Sequence, residues 1–413
     1  MKKFSSIRGT TDFDALEAGI FYDLTQKARN TLVRFGFEEI MLPVLEEQGL
    51  FLKGIGESSD ITERQMFKIE GKDTVLRPEG TAGVIRFFIE HSLYKKSGFY
   101  KFFYIGPMFR GERPQKGRLR QFNHIGVEAI GSSSIYLDAE VIILLMKILD
   151  QLGVRDKQLI VNTLGCAKDK SALNKILFSD LKNKKESLCD NCKRRLDKNP
   201  LRVLDCKQSL CRETVASLKL ENSYLCGDCL DSFKKLLSIL DSFGVEYKND
   251  PYLVRGLDYY TNTVFEVTST KIGSQDAIAA GGRYNNLTKS LGGPDVPAIG
   301  FAVGVERVML LLDKEDKRTE LDVFIASTSQ KLQEAAFEIL NKLRDAGFVA
   351  DCDYLDKSLK GQLRAAQKRG ARFVIILAEE EFKNNTVALK DMRKNSQTLI
   401  EMTQVVKSLK EKI

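Results

Sequence analysis

No apolar run in this 413-residue chain approaches the eighteen or more residues of a membrane span, so an integral helical membrane protein is not expected. The longest candidate, VIILLMKILDQL from Val141, is interrupted by Lys147 and reads as a core helix. The N-terminal MKKFSSIRGTTDFD has two lysines but no apolar h-region behind them. A secretory signal is therefore not expected, and the chain is assigned to the cytoplasm. Neither a Walker A string nor a strand–GxGxxG–helix is present. If the protein uses ATP, it holds the phosphates by some route other than a glycine cradle, and arginines are the substitute. Cysteine is sparse and uneven: of eight, six fall between Cys189 and Cys229. In a reducing compartment that crowding points to metal binding or a thiol cluster rather than to disulfides. Cys166 and Cys352 stand apart and read as small buried hydrophobes. No internal repeat or low-complexity tract is found.

What is present fits a globular protein, with 43% hydrophobic and 29% charged residues in a length that accommodates about two to four domains. A net charge of +8 favours polyanionic partners without proving one. From Asp12 to Phe35 apolar residues recur at Leu16, Ile20, Leu24, Ala28 and Leu32 until Gly36 ends the pattern, which predicts an amphipathic helix of about six turns. FEEIMLPVLEE from Phe37 mixes β-formers with Pro43, which lacks an N–H and belongs on a strand edge or at an interface. Val75 to Leu76, Phe99 to Ile105 and Gln121 to Ile130 read as strands, with helical stretches such as Gly83 to His91 between them. Strands in succession around few helices predict an antiparallel sheet in an α+β domain. Residues 168–238 are lysine-rich, cysteine-rich and helical, and read as an insertion in that domain. After a helix at Val303 to Leu312 the charged run DKEDKRTE from Asp313 marks a linker. Residues 320–413 then alternate strand and helix, as a small parallel or mixed α/β domain does.

Chemistry concentrates in a few strings. LVRGLDYYTNTVFEV, from Leu253, couples the charged fork of Arg255 to the aromatic faces and hydroxyls of Tyr259 and Tyr260, followed by an alternating strand. That combination suits a small polar ligand; the same residues also suit an ordinary strand whose arginine pairs with Asp258. FFYIGPMFRGERPQKGRLRQFNHIGVEAIG, from Phe102, places Arg110, Arg113, Lys116, Arg118 and Arg120 in a loop between two strand-like ends. A cationic hairpin loop meets phosphate on one side and a nucleic acid end on the other, or is a solvated turn. GFAVGVERVMLLL, from Gly300, runs a strand through glycines into a helix bearing Arg307.

These strings resemble, in order along the chain, those of class II aminoacyl-tRNA synthetases. GFEEIMLPVLEE resembles motif 1, the dimer-forming element. The string around FRGER at Phe109 to Arg113 resembles motif 2, and the Gly300 string resembles motif 3. RGLDYYTNTVFE, LRPEGTAGVIR from Leu76, AAGGRYNNL from Ala279 and NPLRVLDCK from Asn199 are similar to the histidyl branch in particular. The resemblance implies a class II catalytic domain over residues 1–318, built on an antiparallel sheet and carrying the helical insertion, then an α/β anticodon-binding domain over 320–413. It further implies a homodimer that uses ATP, Mg2+, L-histidine and tRNA(His). Arg110 and Glu112 would hold the α-phosphate and adenine, Phe122 would stack on adenine, and Arg118 and Arg307 would hold the outer phosphates. Glu79 and Thr81 would receive the histidine ammonium, while Glu128, Tyr260 and Tyr284 would read the imidazole. Arg255 would sit on the reacting carboxylate and α-phosphate. A carboxylate and hydroxyls are indeed the groups that satisfy both imidazole nitrogens and reject apolar analogues.

Position 124 departs from the family pattern, in which glutamine contacts the substrate ammonium; here it is His124, one of two histidines in the chain. An imidazolium there would repel the ammonium, so histidine affinity is expected to fall as pH drops through roughly 6.5. In the insertion, Cys189-x-x-Cys192 and Cys226-x-x-Cys229 are paired knuckles of tetrahedral-site spacing and form the candidate zinc set, with Cys206 and Cys211 as substitutes. In the last domain KSLKGQLRAAQKRGAR puts Lys357, Lys360, Arg364 and Lys368 on one helical face, either solvated or turned to RNA. Two other readings use the same scaffold: the catalytically silent regulatory paralogue of ATP phosphoribosyltransferase, which lacks the last domain and an intact histidine motif, and a class II synthetase for threonine or proline.

Overall fold

The computed structural model describes residues 3–56, 59–220, 222–273, 277–312 and 321–412, so the expected linker from Asp313 lies outside the described residues. The chain divides into two compact units, Met1–Glu315 and Asp316–Ile413.

In the first unit, α1 (Ala15–Arg34) begins where the Asp14 carboxylate accepts the Glu17 N–H at 2.9 Å, and its buried stripe is Leu24, Ala28 and Leu32. It is followed by β1 (Glu38–Glu39), α2 (Thr81–Glu90), the long hairpin strands β2 (Tyr100–Phe109) and β3 (Gln121–Ile130), α3 (Ile135–Gln151) and β4 (Gln158–Thr163). The insertion supplies α4 (Ala167–Lys182), α5 (Asp190–Lys198), α6 (Leu201–Leu204), α7 (Ser209–Ala216) and α8 (Gly227–Ser242). The sheet is then completed by β5 (Lys248–Asn249), β6 (Thr261–Thr268), β7 (Ala277–Arg283) and β8 (Ala298–Gly304), which leads into α9 (Val305–Met309).

These eight strands form one sheet in the order β1-β2-β3-β8-β7-β6-β4-β5. Its six inner strands pair antiparallel throughout, and the short edges β1 and β5 pair parallel. Period-two alternation splits its side chains between two cores. Phe103, Val127, Phe265 and Phe301 pack against α1, α3 and α8, while Phe102, Tyr104, Val264 and Met108 face α2 and the insertion. The second face carries the site described below. FEEIMLPVLEE divides rather than forming one strand: Glu38–Glu39 joins the large sheet, and Leu45–Glu47 pairs with Thr74–Leu76 in a separate three-stranded one.

The second unit contains β9 (Val323–Ser327), α10 (Gln333–Asp345), β10 (Ala350–Cys352), α11 (Leu359–Lys368), β11 (Phe373–Leu377), β12 (Thr386–Asp391) and β13 (Ser396–Glu401). Strand order is β10-β9-β11-β12-β13, the first three parallel and the last two antiparallel, a mixed sheet. Val323, Ile325 and Phe373 pack toward α10, while Phe324, Val374 and Ile376 pack toward α11. Lys357, Lys360, Arg364 and Lys368 are exposed, and Leu359 and Leu363 lie against the core.

Candidate functional site

A cleft of about 1000 Å3, open solvent included, lies over β2, β3, β7 and β8, with the start of α2 and the loop before β6 at its side. One half is cationic. Arg110, Arg118, Arg255 and Arg307 all line it. Against them stand Glu112, ion-paired with Arg118 and 4.0 Å from Arg110, and Glu266, ion-paired with Arg255. Glu306, the other carboxylate lining this half, accepts from the Asn123 N–H at 2.8 Å and from its side-chain amide at 2.8 Å.

The guanidiniums are held by main-chain oxygens as much as by charge. Arg110 donates to the Pro78 carbonyl at 2.9 Å and lies 5.3 Å over the Phe122 ring. Arg307 donates to the carbonyls of Gly117, at 2.7 Å, and Ala277. Burial, then the neighbouring Arg118 and Arg110, pull Arg307 down to about 10, and burial likewise lowers Arg110. Cations that crowd and depress one another make this half a site suited to an anion.

The other half is built from carboxylates and tyrosines. The Glu79 carboxylate accepts the backbone N–H groups of Thr81 (2.6 Å) and Ala82 (2.9 Å), so it closes the N-terminus of α2, although burial still raises its pKa. Thr81 donates its hydroxyl to Glu128 at 2.7 Å, and Tyr284 donates to the other Glu128 oxygen. Burial pushes Glu128 up to about 8 despite these two donors. Gly300 is what makes room for it, since a Cβ there would come within 2.0 Å of the Glu128 carboxylate and 2.2 Å of the Val127 carbonyl. Tyr259 bridges Tyr260 and Tyr284, with ring centroids 4.7 and 5.6 Å away.

Glu79, Thr81, Arg110, Glu112, Arg118, Phe122, His124, Arg255, Tyr260, Tyr284 and Arg307 thus all face one cleft. Glu128 lies just beneath its floor and acts on it through the Thr81 and Tyr284 hydroxyls. One alternative reading and one expectation are corrected. Arg255 does not pair with Asp258; it pairs with Glu266, and Asp258 instead accepts from Arg202 and Asn199 of the insertion, both at 2.9 Å. His124 is half-buried, with a buried and unpartnered Nδ1, and desolvation together with Arg110, Arg307 and Arg77 holds its pKa well below the usual histidine value. It stays neutral where a switch near 6.5 was expected.

The candidate zinc set is corrected as well. Cys189 and Cys192 meet Cys206 and Cys211, whereas Cys226 and Cys229 meet Cys166 and Asp169, the donors within each group lying within 4.8 Å of one another. The division follows the helices: α5 packs on α6 and α6 on α7, while Cys226 opens α8 beside the start of α4. Cys166 is therefore not an isolated hydrophobe.

Sequence reasoning passed over Tyr104 and Glu306. Tyr104 fills a slot whose far side is glycine, because a Cβ at Gly126 or Gly80 would lie 2.0 or 2.2 Å from its ring. The register pairs Tyr104 with Gly126, and an aromatic facing a glycine across a hairpin was the available signal.

Residues 9–308 match the family model for histidyl-tRNA synthetase, and residues 322–412 match the anticodon binding domain. The histidine–tRNA ligase of Halothermothrix orenii is 41% identical over 97% of this chain and 98% of its own. That of Aquifex aeolicus is 42% identical over 97% and 99%. Among solved structures, apo histidyl-tRNA synthetase of S. aureus superposes with a TM-score of 0.81 at 31% identity, covering 99% of this chain and 100% of that one. A histidine-motif strand, an arginine-lined hairpin cleft and full-length similarity to those enzymes lead to one assignment: the chain belongs to the histidyl-tRNA synthetase family.

Proposed function

We propose that the chain activates L-histidine with ATP, releasing pyrophosphate, and transfers the histidyl group from the adenylate to the 3' end of tRNA(His). The observation that carries this reading is the joining, in one cleft, of a cationic half with fewer carboxylates than arginines to a buried carboxylate-and-tyrosine half. ATP fits the first, with its phosphates on Arg110, Arg118 and Arg307 and its adenine on Phe122 beside Glu112. Histidine fits the second, with its ammonium at Glu79, Thr81 and neutral His124, and its ring among Tyr260, Tyr284 and the Glu128 charge behind them. Arg255 lines the boundary, where a planar guanidinium bridges the attacking carboxylate and the α-phosphate. Little covalent chemistry falls to the protein, and positioning with charge stabilisation supplies the acceleration.

Of metals, the reading adds magnesium and zinc. Glu112 and Glu306 are the carboxylates lining the cationic half, both already engaged, so magnesium would arrive on the phosphates and neutralise their charge. Zinc belongs to the cysteines of the insertion.

The class II assignment is supported by the antiparallel sheet and the arginine-bearing hairpin. A homodimer is supported by the edge strand β1, beside which Met41 is 94% and Leu45 53% exposed. Among the described residues no helix is long and apolar enough to cross a membrane, and the cytoplasm is the proposed location. The silent-paralogue alternative loses ground because residues 322–412 match the anticodon binding domain and the histidine-motif residues Arg255, Tyr259 and Tyr260 line the cleft.

ATP–pyrophosphate exchange with each amino acid tests the reading. Exchange with histidine alone is expected; exchange with threonine or proline, or with none, would overturn it.

A further inference from the structure

We propose that the insertion is a two-zinc module: a four-thiolate site formed by Cys189, Cys192, Cys206 and Cys211, and a second site formed by Cys166, Asp169, Cys226 and Cys229. Zinc–sulfur bonds of about 2.3 Å in a tetrahedron set the sulfurs about 3.8 Å apart. The Cys189 and Cys206 sulfurs are 3.9 Å apart, and every donor in each group lies within 4.8 Å of the others. A disulfide needs about 2.0 Å, and all eight cysteines are free thiols.

Donors and helix ends face the sulfurs. The Cys189 N–H donates to the Cys211 sulfur at 3.1 Å, and the Asn262 side-chain amide donates to Cys229 at 3.7 Å. Cys189, Cys226 and Cys166 each stand at the N-cap of a helix, where the dipole favours negative charge. Asp169 is held in place by the backbone N–H groups of Cys166 (3.2 Å) and Cys226 (3.0 Å).

Each site also has a structural task. The four-thiolate site ties together α5, α6 and α7, helices of 9, 4 and 8 residues that are too short to persist alone. The second clamps the entry of the insertion, at Cys166, to its exit, at Cys229, closing a long loop at its base. From this braced module Lys170 donates to the carbonyls of Asp258 (2.7 Å) and Tyr260 (2.9 Å), and Arg202 and Asn199 hold the Asp258 carboxylate. The metals thereby fix from behind the loop that carries Arg255 and Tyr260; only this last link rests on the function proposed above.

The test is metal analysis of the full-length protein purified without chelator or added metal. Two zinc ions per chain are expected, with Cys192→Ser and Cys229→Ser each retaining one. Stepwise titration of wild-type thiols with an organomercurial, read by a zinc indicator, gives the same count without relying on the variants to fold. Cobalt(II) put in place of zinc should give tetrahedral cobalt–thiolate absorption at both sites. Less than one metal per chain in folded protein, or iron instead of zinc, would overturn the proposal, and a single ion lost in both variants would overturn the two-site division. Zinc release should raise the KM for histidine in pyrophosphate exchange at least tenfold and the KM for ATP less than twofold. An unchanged histidine KM would overturn the link to the loop.

Discussion

Glu128 gives the sharpest test of how the pocket works, through Glu128→Gln. The carboxyl is buried and titrates at about 8 against an ordinary 4.5. A group whose folded pKa is raised leaves the folded state holding more protons than the unfolded one between those two values, so stability falls as pH rises from 4.5 to 8. At about 1.4 kcal/mol per unit, the wild type gives up roughly 3 kcal/mol by pH 7 and about 5 kcal/mol above pH 8. Glutamine keeps the shape and still accepts one of the two hydroxyl hydrogen bonds, but cannot ionise. The variant is therefore expected to gain on the wild type by about 1.4 kcal/mol per pH unit between pH 5 and 8, about 2–4 °C in melting temperature for each kcal/mol. Function should move the other way. Histidine brings an ammonium and ring N–H groups that favour the carboxylate, so its binding should release a proton near pH 7. Calorimetry in buffers of different ionisation enthalpy should show that release in the wild type and not in the variant, whose histidine affinity falls by tenfold or more. Parallel stability–pH curves for the two proteins, or identical proton release, would refute the assignment of a neutral, buried Glu128 in the empty site.

Arg255→Ala is expected to slow histidine activation by about a hundredfold to a thousandfold, the cost of one preorganised donor, with the melting temperature retained. Single-turnover adenylate formation should fall far more than transfer from preformed adenylate to tRNA, and an equal fall in both would make Arg255 a partner of Glu266 and nothing more. Because His124 is held neutral, His124→Gln should leave the pH profile of histidine affinity unchanged between pH 6 and 8, as competition binding at each pH will show. Tyr284→Phe removes one donor from the buried Glu128 carboxylate and should cost about 1–3 kcal/mol of stability above pH 8, shrinking toward pH 5, in denaturant titrations at both pH values. Replacing Lys360 and Arg364 together by alanine should weaken tRNA binding and reduce its salt slope by about 2, with ATP–pyrophosphate exchange unaffected.

The division between what could be read from the sequence and what could not follows the range of the interactions. Helix α1 was legible because its stripe of Leu24, Ala28 and Leu32 and its Asp14 cap are local. The hairpin β2–β3 was legible for the same reason, since its loop of arginines lies between strands that pair with each other. The hairpin β12–β13 went unanticipated, having little apolar alternation on its exposed outer strand. Apart from the protonation of His124, the misreadings in the site were matters of partner choice. Local proximity offered Asp258 as an alternative mate of Arg255, yet Glu266 takes that place and Asp258 is left to an insertion about 60 residues away. The cysteines show the same competition. Two C-x-x-C knuckles in one segment invite a single site, and spacing alone cannot count sites. What decides is that α8 returns to the sheet beside Cys166, so the second knuckle finds its partners at the start of the insertion rather than in its middle. His124 and Glu128 carry the argument one step further. They are offset by four positions on β3, Glu128 buried and His124 half-buried, and are pushed in opposite proton directions to the same end. Burial disfavours whichever form is charged, so both stay neutral in the empty pocket, and the Glu128 charge that the histidine ring calls for is created only when the ligand arrives.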